Sequence, residues 1–115
     1  MTDKQYTELV YRTLSLKDDD NIGHSIIGLS TEAGELLDAY KKHKFYGREL
    51  DVQNLKEEIG DLFWYLAVLC NEIGYSFDKA KIDNICKLEK RYPEGFKDVV
   101  SRNVDKELNH IDKGM

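Results

Sequence analysis

The chain's only proline is Pro93. Proline inside a helix removes a backbone donor and collides with the preceding turn, so a long stretch without one can run as uninterrupted helix. Through that stretch apolar residues recur at the helical period and turn signals are sparse, which predicts an all-α fold. A first helix is expected from about Asp3 to Leu16, with Tyr6, Leu9, Val10, Thr13 and Leu14 at helical spacing. The polar run Lys17-Asp18-Asp19-Asp20-Asn21 makes a turn and offers an N-cap to a second helix, from about Ile22 to Lys44. Gly47-Arg48-Glu49-Leu50 connects, and Asp51 caps a third helix that continues to about Ile73. Gly74 stops it, and Ser76 caps a fourth from about Phe77 to Arg91. Tyr92-Pro93-Glu94-Gly95 breaks the pattern, and a further short helix is expected around Val99 to Leu108.

A chain of 115 residues with 41% hydrophobic and 34% charged residues suits one folded domain. The net charge of -5 and pI ≈ 5.2, with no block of Lys and Arg, argue against a nucleic acid polymer as partner, because neutralising phosphates needs clustered positive charge. Cys70 and Cys86 sit in apolar helical patterns without metal-ligand spacing and read as buried free thiols. The N-terminus carries no apolar signal region and the longest apolar run, Leu62 to Cys70, is too short to span a bilayer. A cytoplasmic protein without membrane association is the expectation.

Two acidic pairs stand out. In the second helix Ile26, Leu29, Ala33, Leu37 and Tyr40 are expected to face the core, with Glu32 at the edge of that face and Glu35 beside it at i+3. Ser25, Gly28 and Ala39 leave space on the side of Glu32. In the third helix Leu55, Ile59, Leu62, Leu66, Leu69 and Ile73 form an apolar stripe, flanked by Glu58 and Asp61 at the same i, i+3 spacing and by Tyr65. Acidic residues on helices ordinarily make solvated faces with lysine partners. Here the repeated spacing beside apolar stripes, on helices joined by a short connector, lets the two pairs converge if the helices pack antiparallel. Four converging carboxylates repel unless cations neutralise them, and all-oxygen ligands select a hard ion, Mg²⁺ or Mn²⁺.

On the fourth helix Asn84, Lys87 and Arg91 occupy i, i+3 and i+7, a stripe of one amide and two cations suited to a phosphate chain. His24 shares the side of Glu35, and His43 reads as a helix-end residue. Glu107 and His110 form a lone ExxH; a di-iron carboxylate bundle needs two with partner glutamates, so that reading is discarded. The third helix continues Phe63, Trp64, Ala67, Val68 and Cys70 almost round its circumference, which predicts self-association on that helix, with Trp64 and Val68 needing cover.

Three segments together resemble the MazG-like nucleoside triphosphate pyrophosphohydrolases of the all-α NTP pyrophosphatase superfamily. They are Gly28-Leu29-Ser30-Thr31-Glu32-Ala33-Gly34-Glu35-Leu36, Glu57-Glu58-Ile59-Gly60-Asp61-Leu62-Phe63-Trp64-Tyr65-Leu66, and Asn84 through Tyr92-Pro93-Glu94-Gly95-Phe96. The resemblance implies a four-helix-bundle-type fold over residues 1–97 with an extra C-terminal segment, 98–115. It implies Mg²⁺-dependent hydrolysis of a (deoxy)nucleoside triphosphate to the monophosphate and pyrophosphate, Mn²⁺ being a possible substitute. A narrower relative acting on dUTP, dCTP or phosphoribosyl-ATP, or a non-catalytic nucleotide- or protein-binding module, stays open beside it. Carried over, Glu32, Glu35, Glu58 and Asp61 match the metal ligands, Tyr65 a substrate-contacting tyrosine, and Asn84, Lys87 and Arg91 the phosphate-binding face. Glu35 is favoured as the general base, and a homodimer or homotetramer is expected. The preferred base is not readable from these residues.

Overall fold

A computed structural model describes residues 1–15 and 20–100. Among them are five α-helices and no strand: α1 (Asp3–Thr13), α2 (Asn21–Tyr46), α3 (Val52–Glu72), α4 (Phe77–Arg91) and α5 (Pro93–Val100). The all-α expectation holds. Helix α1 ends at Thr13, short of the expected Leu16, because Leu14 turns to extended backbone. Residues 16–19, and everything expected beyond residue 100, including the ExxH of Glu107 and His110, lie outside the described residues.

Helix ends follow local chemistry. Thr2 and Gln5 form a reciprocal capping box at α1. Asp20 accepts from Gly23 N–H at 2.9 Å, Asp51 from Asn54 N–H at 3.0 Å and Ser76 from Lys79 N–H at 3.0 Å, each satisfying an orphan donor of the first turn. At the far end of α3, Tyr75 N–H donates to Cys70 O at 2.8 Å and Gly74 N–H to Asn71 O at 3.2 Å. That pair is a Schellman motif, and it requires the left-handed conformation Gly74 adopts at φ +70. Tyr92 stops α4, but Pro93 does not only break the pattern: its missing N–H and fixed φ suit a first helical position, and α5 starts there, well before the expected Val99.

The chain divides into two compact units, one of residues 1–75 and one from residue 76 onward. In the first, α3 packs against both α2 and α1. Glu35 meets Glu58, Glu32 meets Asp61, and Gly28 meets Tyr65. Residue numbers fall on α2 as they rise on α3, so the two helices are antiparallel, as their short connector implied. In the second unit α4 packs with α5.

Two expectations about faces are corrected. On α2 the buried residues are Ser25, Gly28 and Ala39, whereas Ile26 is 49%, Leu37 59% and Tyr40 50% exposed, and Ala33 is exposed too. Small side chains let two helix backbones approach closely, so that face docks, and the larger residues are turned away. On α3 the deepest residues are Val68, Ala67 and Glu58. Val68 is therefore not a surface residue needing a partner. Trp64 is half-buried, with its indole N–H donated to Thr13 Oγ1 of α1 at 2.8 Å. Among the described residues no helix is long and apolar enough to cross a membrane.

Candidate functional site

The close approach of α2 and α3 carries the acidic pairs inward. Glu32 lies on the small-residue face, one turn from Gly28, and Glu58 follows Asn54 by one turn on the facing helix. Glu58 is only 6% exposed, Glu32 is half-buried, and Glu35 and Asp61 reach solvent. One carboxylate oxygen from each of Glu32, Glu58 and Asp61 lies within 4.8 Å of the others. Glu35 joins them by side-chain hydrogen bonding to Glu58 and Glu32. All four acidic residues named from the sequence are thus brought together.

Carboxylates this close cannot all ionise comfortably without a cation. Glu35 is held above its ordinary pKa, first by hydrogen bonding to Glu58, then by that residue's charge and by burial. Glu58 is raised chiefly by hydrogen bonding to Glu32, with burial and the charges of Glu32 and Asp61 adding to it. Glu32 Oε2 and Glu58 Oε2 are nevertheless buried without a hydrogen-bond partner. Buried oxygens left over after the protein has satisfied what it can are where a ligand to the group is expected. The donor set is all oxygen, without Cys or His in the group, and it fits a hard divalent ion of the Mg²⁺ or Mn²⁺ kind.

A cleft of about 360 Å³ opens beside this cluster, lined by Glu32, Asp61, Tyr65, Trp64 and Thr13. Tyr65 lies where its sequence position suggested. Its ring occupies the space that a Cβ at Gly28 would take, so glycine there is a requirement of the close approach and not a flexible link. Burial, then the charges of Glu32, Asp61 and Glu35, raise the Tyr65 phenol, which keeps it a donor. Trp64 meets Tyr65 edge to face, with ring centroids 5.1 Å apart and planes at 84°. The exposed His24 stands 6.2 Å from Tyr65 between ring centroids.

Helix α1 contributes more than the sequence reading allowed. Thr13 lines the cleft, and Tyr6 is raised by burial and by the charge of Asp61. Helical spacing alone places both on the apolar face of the first helix. Their seven-residue separation, two turns on one face, was the available signal. Asn84, Lys87 and Arg91 share one exposed face of α4, in the second unit. His43 Nδ1 lies 2.9 Å from Arg48 O at the end of α2, the helix-end role expected of it. Cys70 and Cys86 are in no disulfide and are half-buried rather than buried as expected, and burial raises the Cys70 thiol.

An antiparallel helix pair with i, i+3 acidic pairs facing across it defines an all-α carboxylate site of the kind that holds hard metal ions. The chain belongs to a particular family of this class: residues 24–96 match the MazG nucleotide pyrophosphohydrolase domain. That span runs from His24 through both acidic pairs and Tyr65 to Phe96 and contains all three segments that carried the resemblance in the sequence. No curated protein and no solved structure matches the chain.

Proposed function

We propose that this protein hydrolyses a (deoxy)nucleoside triphosphate between the α- and β-phosphates, releasing the monophosphate and pyrophosphate. The observation that carries the reading is the convergence of Glu32, Glu58 and Asp61 oxygens within 4.8 Å, with two buried carboxylate oxygens lacking any partner. Glu32, Glu35, Glu58 and Asp61 would hold Mg²⁺, for which Mn²⁺ can substitute. The ion, when bound, offsets triphosphate charge and makes a water more acidic.

Glu35 is the base in this reading: it reaches solvent, is hydrogen-bonded within the carboxylate cluster, and takes a proton from water as the new P–O bond forms. The bond from the α-phosphorus to the bridging oxygen breaks, and pyrophosphate leaves. Tyr65 contacts substrate from the cleft wall beside the carboxylates. Asn84, Lys87 and Arg91, on one face of α4, bind the phosphates and offset charge gathering on their oxygens. A cytoplasmic setting suits this substrate.

Self-association also belongs to this reading, with its site moved from the circumference of α3. Ile26, Leu37 and Tyr40 on α2, with Ile59 and Phe63 on α3, are apolar and exposed, and a second copy of the chain would bury them in a homodimer or homotetramer.

The decisive experiment assays pyrophosphate release from a panel of (deoxy)nucleoside triphosphates with Mg²⁺, for the wild type and for Glu35→Gln and Asp61→Asn. Release by the wild type, lost by at least about 100-fold in both variants while helical circular dichroism is unchanged, is the expected result. Near-normal turnover in both variants would overturn the site assignment.

A further inference from the structure

The wall of the cleft carries an arrangement that the metal site does not explain. Trp64 and Tyr65 are neighbours in sequence, yet their rings stand nearly perpendicular, at 84°, and form a two-sided aromatic corner beside Glu32 and Asp61. The corner is fixed from α1. Thr13 Oγ1 accepts the Trp64 indole N–H at 2.8 Å and donates its own proton to Val10 O at 2.7 Å. Indole has a single donor and no acceptor, so this bond consumes all of Trp64's hydrogen-bonding capacity. The threonine proton is also spent, on the backbone. A flat ring entering the corner therefore meets π-surface from Trp64 and finds neither the indole nor the threonine donor free to read its edge.

We propose that Trp64 stacks on the nucleobase of the substrate, and that Thr13, by engaging the indole N–H, is a positioning residue that makes this wall tolerant of the base. Stacking is insensitive to base identity because every base presents a π-face, whereas donors and acceptors at its edge discriminate. The proposal rests on the triphosphate reading of the adjacent carboxylates and deepens it by stating how the base end is held. The substrate class that follows is a nucleoside triphosphate chosen by charge and ring face, with little preference among the bases.

Trp64 is the only tryptophan of the chain, so its emission reports this wall directly. The experiment titrates the full-length protein, with Mg²⁺, using non-hydrolysable α,β-imido triphosphates of adenosine, guanosine, cytidine and uridine, and tripolyphosphate as a control. Quenching by all four within about tenfold of one another in Kd, and none by tripolyphosphate, is the expected result. Thr13→Val should weaken all four by about 10-fold or more, within the worth of one base stack, and Thr13→Ser, which restores the acceptor, should return them toward wild type. Turnover assays on the same proteins should show Thr13→Val raising KM with kcat little changed.

Absence of quenching by every nucleotide would overturn the stacking role, even if the wild type releases pyrophosphate. Preference for one base by more than about 100-fold would overturn the base tolerance. Wild-type affinities in Thr13→Val would overturn the role of Thr13. Quenching by nucleotides without any turnover would leave this wall assigned and overturn the hydrolytic reading instead, so the two failures are separable.

Discussion

Glu58 shows most sharply how function and stability oppose each other at one residue. It is 6% exposed, faces Glu32, Glu35 and Asp61, and keeps one oxygen without a partner. Its pKa, like that of Glu35, lies above the ordinary carboxylate value in the folded protein. A raised carboxylate pKa means that the folded state holds the proton more tightly than the unfolded state. Its contribution to stability is therefore full below the unfolded pKa and is lost as pH rises through the folded pKa. Metal-free protein should accordingly lose thermal stability as pH rises above the normal carboxylate range, and a divalent ion should restore it. Glu58→Gln removes the charge but keeps the shape. It should flatten this pH dependence and raise Tm of the metal-free protein near pH 7, while abolishing stabilisation by Mg²⁺ or Mn²⁺. Differential scanning calorimetry of both proteins with and without EDTA checks this. An unchanged pH profile would show that the cluster does not strain the fold.

At the scale of elements, the small-residue face of α2 has one consequence and the exposed face of α4 another. Ser25, Gly28 and Ala39 bring α2 onto α3, and without that approach Glu32 and Glu35 could not reach Glu58 and Asp61. The stop and restart at Tyr92 and Pro93 ends α4 just past Arg91, so Asn84, Lys87 and Arg91 occupy its middle and last turn. Cations near a helix C-terminus are also favoured by the helix dipole, which would place Arg91 there without any ligand. A binding test separates the two. If Lys87 and Arg91 hold phosphates, Lys87→Ala should raise KM for every triphosphate by a similar factor, about 10-fold or more, with helical content unchanged. A loss confined to one base would show that the residue reads the base instead.

For the whole molecule, the exposed apolar surface is what a single copy leaves unresolved. Ile26 and Leu37 are 49% and 59% exposed, outside the buried set of α2. Burying a large aliphatic side chain is worth on the order of 2 kcal/mol, so covering several favours association. In a monomer, Ile26→Glu and Leu37→Glu would be surface changes of about half a kcal/mol or less. In an oligomer they should dissociate it at micromolar concentration, read by sedimentation velocity, without disturbing helical content. A wild type that sediments as a monomer would refute the interface.

The sequence by itself determined where α2, α3 and α4 run and the chemistry they carry, though not the end of α1 or the start of α5. Caps such as Asp51, Ser76 and the Schellman turn at Gly74 act within a few residues, so α4 was placed at its observed bounds and α3 nearly so. The i, i+3 spacing of Glu32 with Glu35, and of Glu58 with Asp61, is likewise a property of one helix, and the short connector made an antiparallel meeting the natural geometry. Burial was harder to read, because it depends on which neighbour arrives. Periodicity marked Ile26, Leu37 and Tyr40 as core, yet the face that docks is the one whose small residues permit closest approach. Val68 and Trp64 looked like surface in need of a partner, and α1 packs beside them: the Tyr11 hydroxyl, which donates to Glu72 at 2.9 Å, lies 3.4 Å from Val68 O, and Thr13 takes the Trp64 N–H at 2.8 Å. Tyr11 and Val68 are 57 residues apart in the chain, and Thr13 and Trp64 are 51, far outside any helical repeat. Only the tertiary structure could join them, because a hydrogen bond between distant residues leaves no periodic trace in either segment.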